Sequence, residues 1–159
     1  IGFDTLVGFV AAKMRRLRGA PAYGWAALKL LVRYPDLPKL HITIDSFEMT
    51  GSPILISLMN GKRMGGAFHM APDAILDDGL LNFCMTRQGK RSRLLYDMAH
   101  YLKGTQHRLT DTSTGTGKHA AITALTGGMA VHADGETICE SGKHVEVECV
   151  PSALELLMP

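Results

Sequence analysis

The chain has no apolar run approaching the roughly 20 residues that a helix needs to cross a bilayer, so no segment of it reads as a helical membrane span. Cysteine is scarce. Cys84, Cys139 and Cys149 are odd in number, far apart and without CxxC spacing, which argues against a disulfide framework and for reduced thiols used as small core residues. None of the seven histidines is joined to a cysteine or carboxylate at a recognised zinc spacing. A Gly-x-Ser-x-Gly elbow is missing, and with it the usual signature of a serine hydrolase on an α/β sheet. Gly115-Thr116-Gly117-Lys118 falls short of a phosphate loop, because Thr112 stands where the first glycine belongs and His119 where Ser or Thr belongs. That stretch reads as a flexible connection. Neither sign of charge dominates: 17 Lys and Arg against 15 Asp and Glu leave +2, too little to argue for a nucleic-acid partner. The start at Ile1, without Met or a charged-then-apolar leader, is expected to be the start of a fragment and not a signal peptide.

What is present is the composition of a globular domain: 159 residues, 46% hydrophobic and 20% charged, enough to bury a core. Asp4 to Arg18 places Leu6, Val7, Val10, Ala11, Met14 and Leu17 at helical spacing, with Asp4 as a cap and Gly19 as a stop. Its other edge carries Lys13, Arg15, Arg16 and Arg18, suited either to solvent or to anionic lipid and phosphate. A second helix is predicted from Pro21 through Trp25, Leu28, Leu31 and Val32, ending before Pro35.

From Lys39 the period changes to two. Leu40, Ile42 and Ile44 alternate with polar residues as a half-buried strand, and Ile54 to Met59 is a second strand. Asn60-Gly61 signals a tight hairpin, with Gly65-Gly66 marking a bulge in the return strand or a close approach of backbone to something else. Leu80 to Thr86 is predicted to be a strand and Lys90 to Lys103 a helix that presents Leu94, Leu95, Met98, Ala99 and Leu102 and stops at Gly104. Thr105 to Lys118 reads mainly as a connection, followed by short strands at 119–125, 129–133, 136–139, 143–150 and 153–158. The result is an α+β chain, mainly β, sandwich-like with a few helices: a helical lead-in over 1–36 and a β-rich core over 38–159.

Two acidic stretches stand out. Ala71-Pro72-Asp73-Ala74-Ile75-Leu76-Asp77-Asp78-Gly79-Leu80 sets three carboxylates on a bend, to be relieved by water, a donor network or a cation. His132-Ala133-Asp134-Gly135-Glu136 is a hairpin turn by spacing, yet a turn can also present side chains that orient and deprotonate a hydroxyl.

Asn60-Gly61, Gly65-Gly66, Ala71-Pro72-Asp73-Ala74, Asp77-Asp78-Gly79-Leu80-Leu81 and Asp134-Gly135-Glu136, in that order, resemble the C-terminal half of the diacylglycerol kinase catalytic family, which includes bacterial lipid kinases and sphingosine and ceramide kinases. The resemblance implies a β-sandwich-like domain of the NAD kinase/diacylglycerol kinase-like fold. It also implies a partner N-terminal nucleotide-binding domain, whose Gly-Gly-Asp-Gly-Thr motif is not found in these residues. It implies ATP as co-substrate, a lipid hydroxyl as acceptor, and Mg2+ at Asp78 with the carbonyls of Ile75 and Leu80. Glu136 matches the proton acceptor, with Asp134 beside it. A cytoplasmic protein, peripheral at the inner face of the membrane, is the corresponding expectation. The alternatives are a noncatalytic, metal-braced lipid- or protein-binding β domain and a NAD kinase-like domain.

Overall fold

A computed structural model describes residues 1–14, 20–33 and 36–154. Among them, three α-helices and nine strands follow the order α1 (Phe3–Ala12), α2 (Ala20–Val32), β1 (Leu40–Ile44), β2 (Phe47–Gly51), β3 (Pro53–Met59), β4 (Leu81–Arg87), α3 (Arg91–Lys103), β5 (Thr112–Gly117), β6 (His119–Ala124), β7 (Met129–Ala133), β8 (Glu136–Gly142) and β9 (His144–Glu148). All strand pairs are antiparallel. They form a four-stranded sheet in the order β2-β1-β6-β9, a three-stranded sheet β3-β4-β5 and a hairpin β7-β8.

Burial explains why the strands differ in pattern. β1 alternates buried and half-buried residues, as a strand with one covered face should. β3 and β4 carry near-continuous buried runs because their sheet is the middle layer. One core lies between that sheet and the helices, built from Phe3, Val7, Ile54, Cys84, Leu94 and Tyr101 among others. The other lies between the two sheets, where Ile42, Ile56, Phe83, Met85, Ile122 and Met129 meet. Along β4, Cys84 faces the helices while Phe83 and Met85 face the opposite sheet, the two-residue period of a pleated strand. Fully burying each such side chain contributes about 1.5–3 kcal/mol, so the double-faced sheet concentrates the stabilisation. Phe47 and Phe83 add a tilted ring contact at 5.0 Å.

Several expectations need correction. α1 ends at Ala12, and Asp4 sits in its first turn without capping it; Gly2 is the N-cap and supplies no side-chain bond. Arg15, Arg16, Arg18 and Gly19 lie outside the described residues. Phe47–Gly51 is an unforeseen strand, paired with β1 through the turn at Asp45. Asn60-Gly61 opens no hairpin, because the partner of Met59 is Asn82 on β4. Residues 60–80 form a long loop instead, closed at its base by Asn60 Nδ2 donating to the Leu76 carbonyl at 3.3 Å. Gly65-Gly66, at φ 57° and 76°, makes the tip of a small Met64–Phe68 bridge within that loop and is not a bulge.

Thr112–Gly117 is a strand, not a connection: it pairs with β4 from Leu81 to Thr86. Its glycines serve closeness, since a Cβ at Gly115 would sit 2.8 Å from the Phe83 ring and one at Gly117 2.6 Å from Ile44. α3 turns Leu94, Asp97 and Tyr101 inward and leaves Leu95 and Leu102 exposed. Polar contacts set that rotation: Tyr101 shares a 2.6 Å hydrogen bond with Thr86, and Arg93 bridges Asp97 and Asp111 at 2.9 Å each. Cys84 is core, with burial pushing its thiol up to about 12, whereas Cys139 and Cys149 are only half-buried. Ala153 and Leu154 are not in a strand, and the remainder of the stretch to Met158 lies outside the described residues.

Candidate active site and its relatives

The β7-β8 hairpin turns at Asp134 and Gly135, with φ of 49° and 87°, the two positive values that a two-residue turn between twisted strands requires. Ala133 pairs with Glu136 across it, and Asp134 and Glu136 both reach solvent. Alternation places Ala133 and Glu136 on the face that, further down β7, carries buried Val131 and Met129 into the core between the sheets. Next to Ala133, His132 Nε2 donates to Asp4 Oδ2 at 3.0 Å, fastening the hairpin to the first turn of α1. Burial alone would raise the Asp4 carboxyl. The hydrogen bond and charge of His132 act against that rise.

The acidic loop is built differently. Buried Met70, Ala71 and Ala74 pin its middle, while Asp73, Asp77 and Asp78 are exposed, so water relieves their mutual repulsion. Asp78 Oδ1 accepts from the Leu80 amide at 2.9 Å, an Asx turn. Gly79, at φ 70°, lies where an added Cβ would come within 3.3 Å of Pro151, so the corner rests against the segment after β9.

Among the described residues no group of three His, Cys, Asp or Glu converges as a metal site. A cation at Asp78 would therefore draw on one carboxylate, the Ile75 and Leu80 carbonyls and water. Those are hard oxygen donors of the kind Mg2+ accepts, since it keeps several waters and needs only one or two carboxylates. The chemistry of the donor set fits.

Asp73 and β5 come together in a cleft of about 190 Å3, walled by the loop, β4, β5 and the turn after α3. Asp73, Asn82, Phe83, Gln106, Thr114 and Thr116 line it. Gln106 Nε2 donates to the His69 and Met70 carbonyls at 3.0 and 2.8 Å, fixing the side chain. Its Oε1 and the Asn82 Nδ2 are buried without a partner, and such atoms favour an added hydroxyl or water. Sequence reasoning missed Asn82, Gln106 and the Asp4–His132 pair. An isolated polar residue in a strand or connection carries no periodic signal.

Residues 1–158 match the family described as the YegS C-terminal NAD kinase beta sandwich-like domain. The chain is 32% identical over 158 residues to a diacylglycerol kinase of Mycobacterium tuberculosis, covering 99% of this chain and 50% of that protein. It is 28% identical over 161 residues to a protein of Xanthomonas campestris pv. campestris named as a YegS-like lipid kinase, again covering 99% and 50%. It thus spans about half the length of the curated relatives it matches. A Bacillus anthracis crystal structure described as a diacylglycerol kinase shares the fold, with a TM-score of 0.58 at 16% identity over 83% of this chain and 46% of that one. On the match across nearly its full length, the chain belongs to the YegS C-terminal, NAD kinase β-sandwich-like domain family, the family of relatives named diacylglycerol kinase and lipid kinase.

Proposed function

We propose that this chain is the substrate-side domain of an ATP-dependent lipid kinase that transfers the γ-phosphoryl of ATP to a lipid hydroxyl, with diacylglycerol or a related lipid alcohol as acceptor. The observation that carries this reading is the family match over residues 1–158 together with relatives twice as long that are named as such kinases. An N-terminal nucleotide-binding domain would supply the ATP site, and the isolated chain would be inactive. The whole protein would work in the cytoplasm, peripheral at the inner face of the membrane.

In this reading Glu136 or Asp134 holds the acceptor hydroxyl and takes its proton as that oxygen bonds to phosphorus and ADP leaves. Both carboxylates are solvent-facing on a turn whose base is fixed by His132 and Asp4, so they can meet a substrate entering from the partner domain. Positioning and charge stabilisation carry most of the rate in phosphoryl transfer. Mg2+ at Asp78, Ile75 and Leu80 would brace the corner at Gly79 rather than touch the reacting atoms.

The experiment is direct. The full-length protein, given ATP labelled at the γ-position and diacylglycerol, sphingoid base or phosphatidylglycerol in turn, is expected to label one of these lipids. No labelled lipid with any of them, or a parent gene without an upstream glycine-rich nucleotide domain, would overturn the proposal. The noncatalytic and NAD kinase-like readings would then be left.

A further inference from the structure

α2 carries more large apolar side chains than its contact with the core uses. Its buried positions, Ala22 and Ala26, are 2% and 0% exposed and are among the smallest side chains available, which lets the helix lie close to α1. Leu30 and Leu31 are half-buried against the core, while three further large apolar residues point outward: Trp25, Leu28 and Val32 are 57%, 51% and 65% exposed. Together with exposed Pro21 they stand at i, i+4, i+7 and i+11, a single stripe along the helix. Folding alone would place those side chains inside. An uninterrupted exposed apolar stripe of this kind marks a surface that meets something else.

Charge identifies what it meets. Lys29 and Arg33, both exposed, form a second row four residues apart beside the stripe. Between Asp4 and Asp36 the sequence contains six Lys and Arg and not one Asp or Glu, whereas the rest of the chain carries 11 cations against 15 acids. The positive charge is therefore gathered onto the helical lead-in. A tryptophan, aliphatic side chains and flanking cations on one face are the features by which a helix lies in the headgroup region of an anionic bilayer.

We propose that the Trp25–Leu28–Val32 face of α2, flanked by Lys29 and Arg33, is the docking surface for an anionic phospholipid membrane. The proposal deepens the lipid-kinase reading and rests on it for the reason a membrane should be met at all.

Trp25 is the only tryptophan in the chain and so reports on its own face. In the full-length protein, with any tryptophan outside this chain replaced by phenylalanine, vesicles of phosphatidylcholine containing phosphatidylglycerol should shift Trp25 emission to the blue and shield it from iodide. Vesicles of phosphatidylcholine alone should do neither, and high salt should weaken the effect. Leu28→Asp should lower vesicle partitioning by about tenfold or more, since it trades an inserted aliphatic group for a charge. Should that variant fold poorly, Lys29→Glu combined with Arg33→Glu should abolish the preference for anionic lipid with Trp25 left in place.

Two results would overturn the proposal: Trp25 already shielded from iodide before vesicles are added, which would place another domain or a second copy on this face, or vesicle sedimentation with Trp25 emission unchanged, which would place docking elsewhere. Turnover of a monomeric short-chain diacylglycerol by the unaltered full-length protein tests the kinase reading separately. Its failure beside intact Trp25 insertion would sink that reading alone.

Discussion

His132 on β7 and Asp4 on α1 lie 128 residues apart in sequence and meet at 3.0 Å, so the turn that presents Glu136 is positioned by the helical layer as well as by its own strand pairing. Hydrogen bonds to charged groups contribute about 1.5–3 kcal/mol. Asp4→Asn and His132→Ala should each lower stability by about 1–2 kcal/mol, and the double variant should cost clearly less than their sum. Urea unfolding of the three variants measures the coupling, and strictly additive losses would mean that the contact does not fasten the hairpin.

The acidic residues of the two stretches should fail in different ways. If Glu136 takes the proton, Glu136→Gln in the full-length protein should lower kcat by about 10²–10⁴-fold with no change in melting temperature. Asp78→Asn should lower melting temperature and activity together, because the amide keeps the bond from Leu80 but gives up the charge that would hold the bracing cation. Unimpaired turnover in Glu136→Gln would shift the proton-accepting role to Asp134. Unchanged stability and metal content in Asp78→Asn would remove the bracing role.

Acid should loosen the junction between β1 and β6. Asp45, at φ 46°, accepts hydrogen bonds from the Lys118 and His119 amides at 2.8 and 3.0 Å, and these bonds hold its carboxyl below the ordinary aspartate value. A depressed carboxylate contributes stability that is fully present above its unfolded pKa, about 3.9, and is lost as pH falls through the folded value. Stability followed from pH 6 downward should therefore fall below about pH 4, and less steeply in Asp45→Asn. Parallel curves for the two proteins would show that the linkage lies elsewhere.

Buried Thr86 and Tyr101 and half-buried Thr112 make the polar seam between α3 and the middle sheet, with oxygens 2.6 and 2.8 Å from Thr86 Oγ1. Thr86, at 0% exposure, serves both partners. Thr86→Val keeps the shape but takes away the 2.6 Å partner of the Tyr101 hydroxyl, and should cost about 1–3 kcal/mol. Tyr101→Phe in the Thr86→Val background should recover part of that loss. Calorimetry of the three proteins decides, and a neutral Thr86→Val would mean that water satisfies the tyrosine.

How legible each part was in the sequence follows from physics. Period-two alternation at Leu40, Ile42 and Ile44 announced β1 because only one of its faces is covered. Asp134-Gly135 announced its hairpin because positive φ at both positions is a local demand. Thr112–Gly117 stayed hidden because its glycines answer to Phe83 and Ile44 on neighbouring strands, which no local rule contains. Asn60-Gly61 misled for the opposite reason: its local preference was outweighed by the pairing of Met59 with Asn82. Trp25, Leu28 and Val32 had helical spacing, but spacing alone does not say which side faces in. Of the candidate site, the acidic residues were visible as sequence motifs, whereas Gln106 and Asn82 acquire meaning only from the cleft they share.

The β3-β4-β5 sheet serves as a common wall, with Ile54 committed to one core and Ile56 to the other. Neither compartment can be emptied without exposing the back of the other, so the helical layer and the outer sheet share a single melting event.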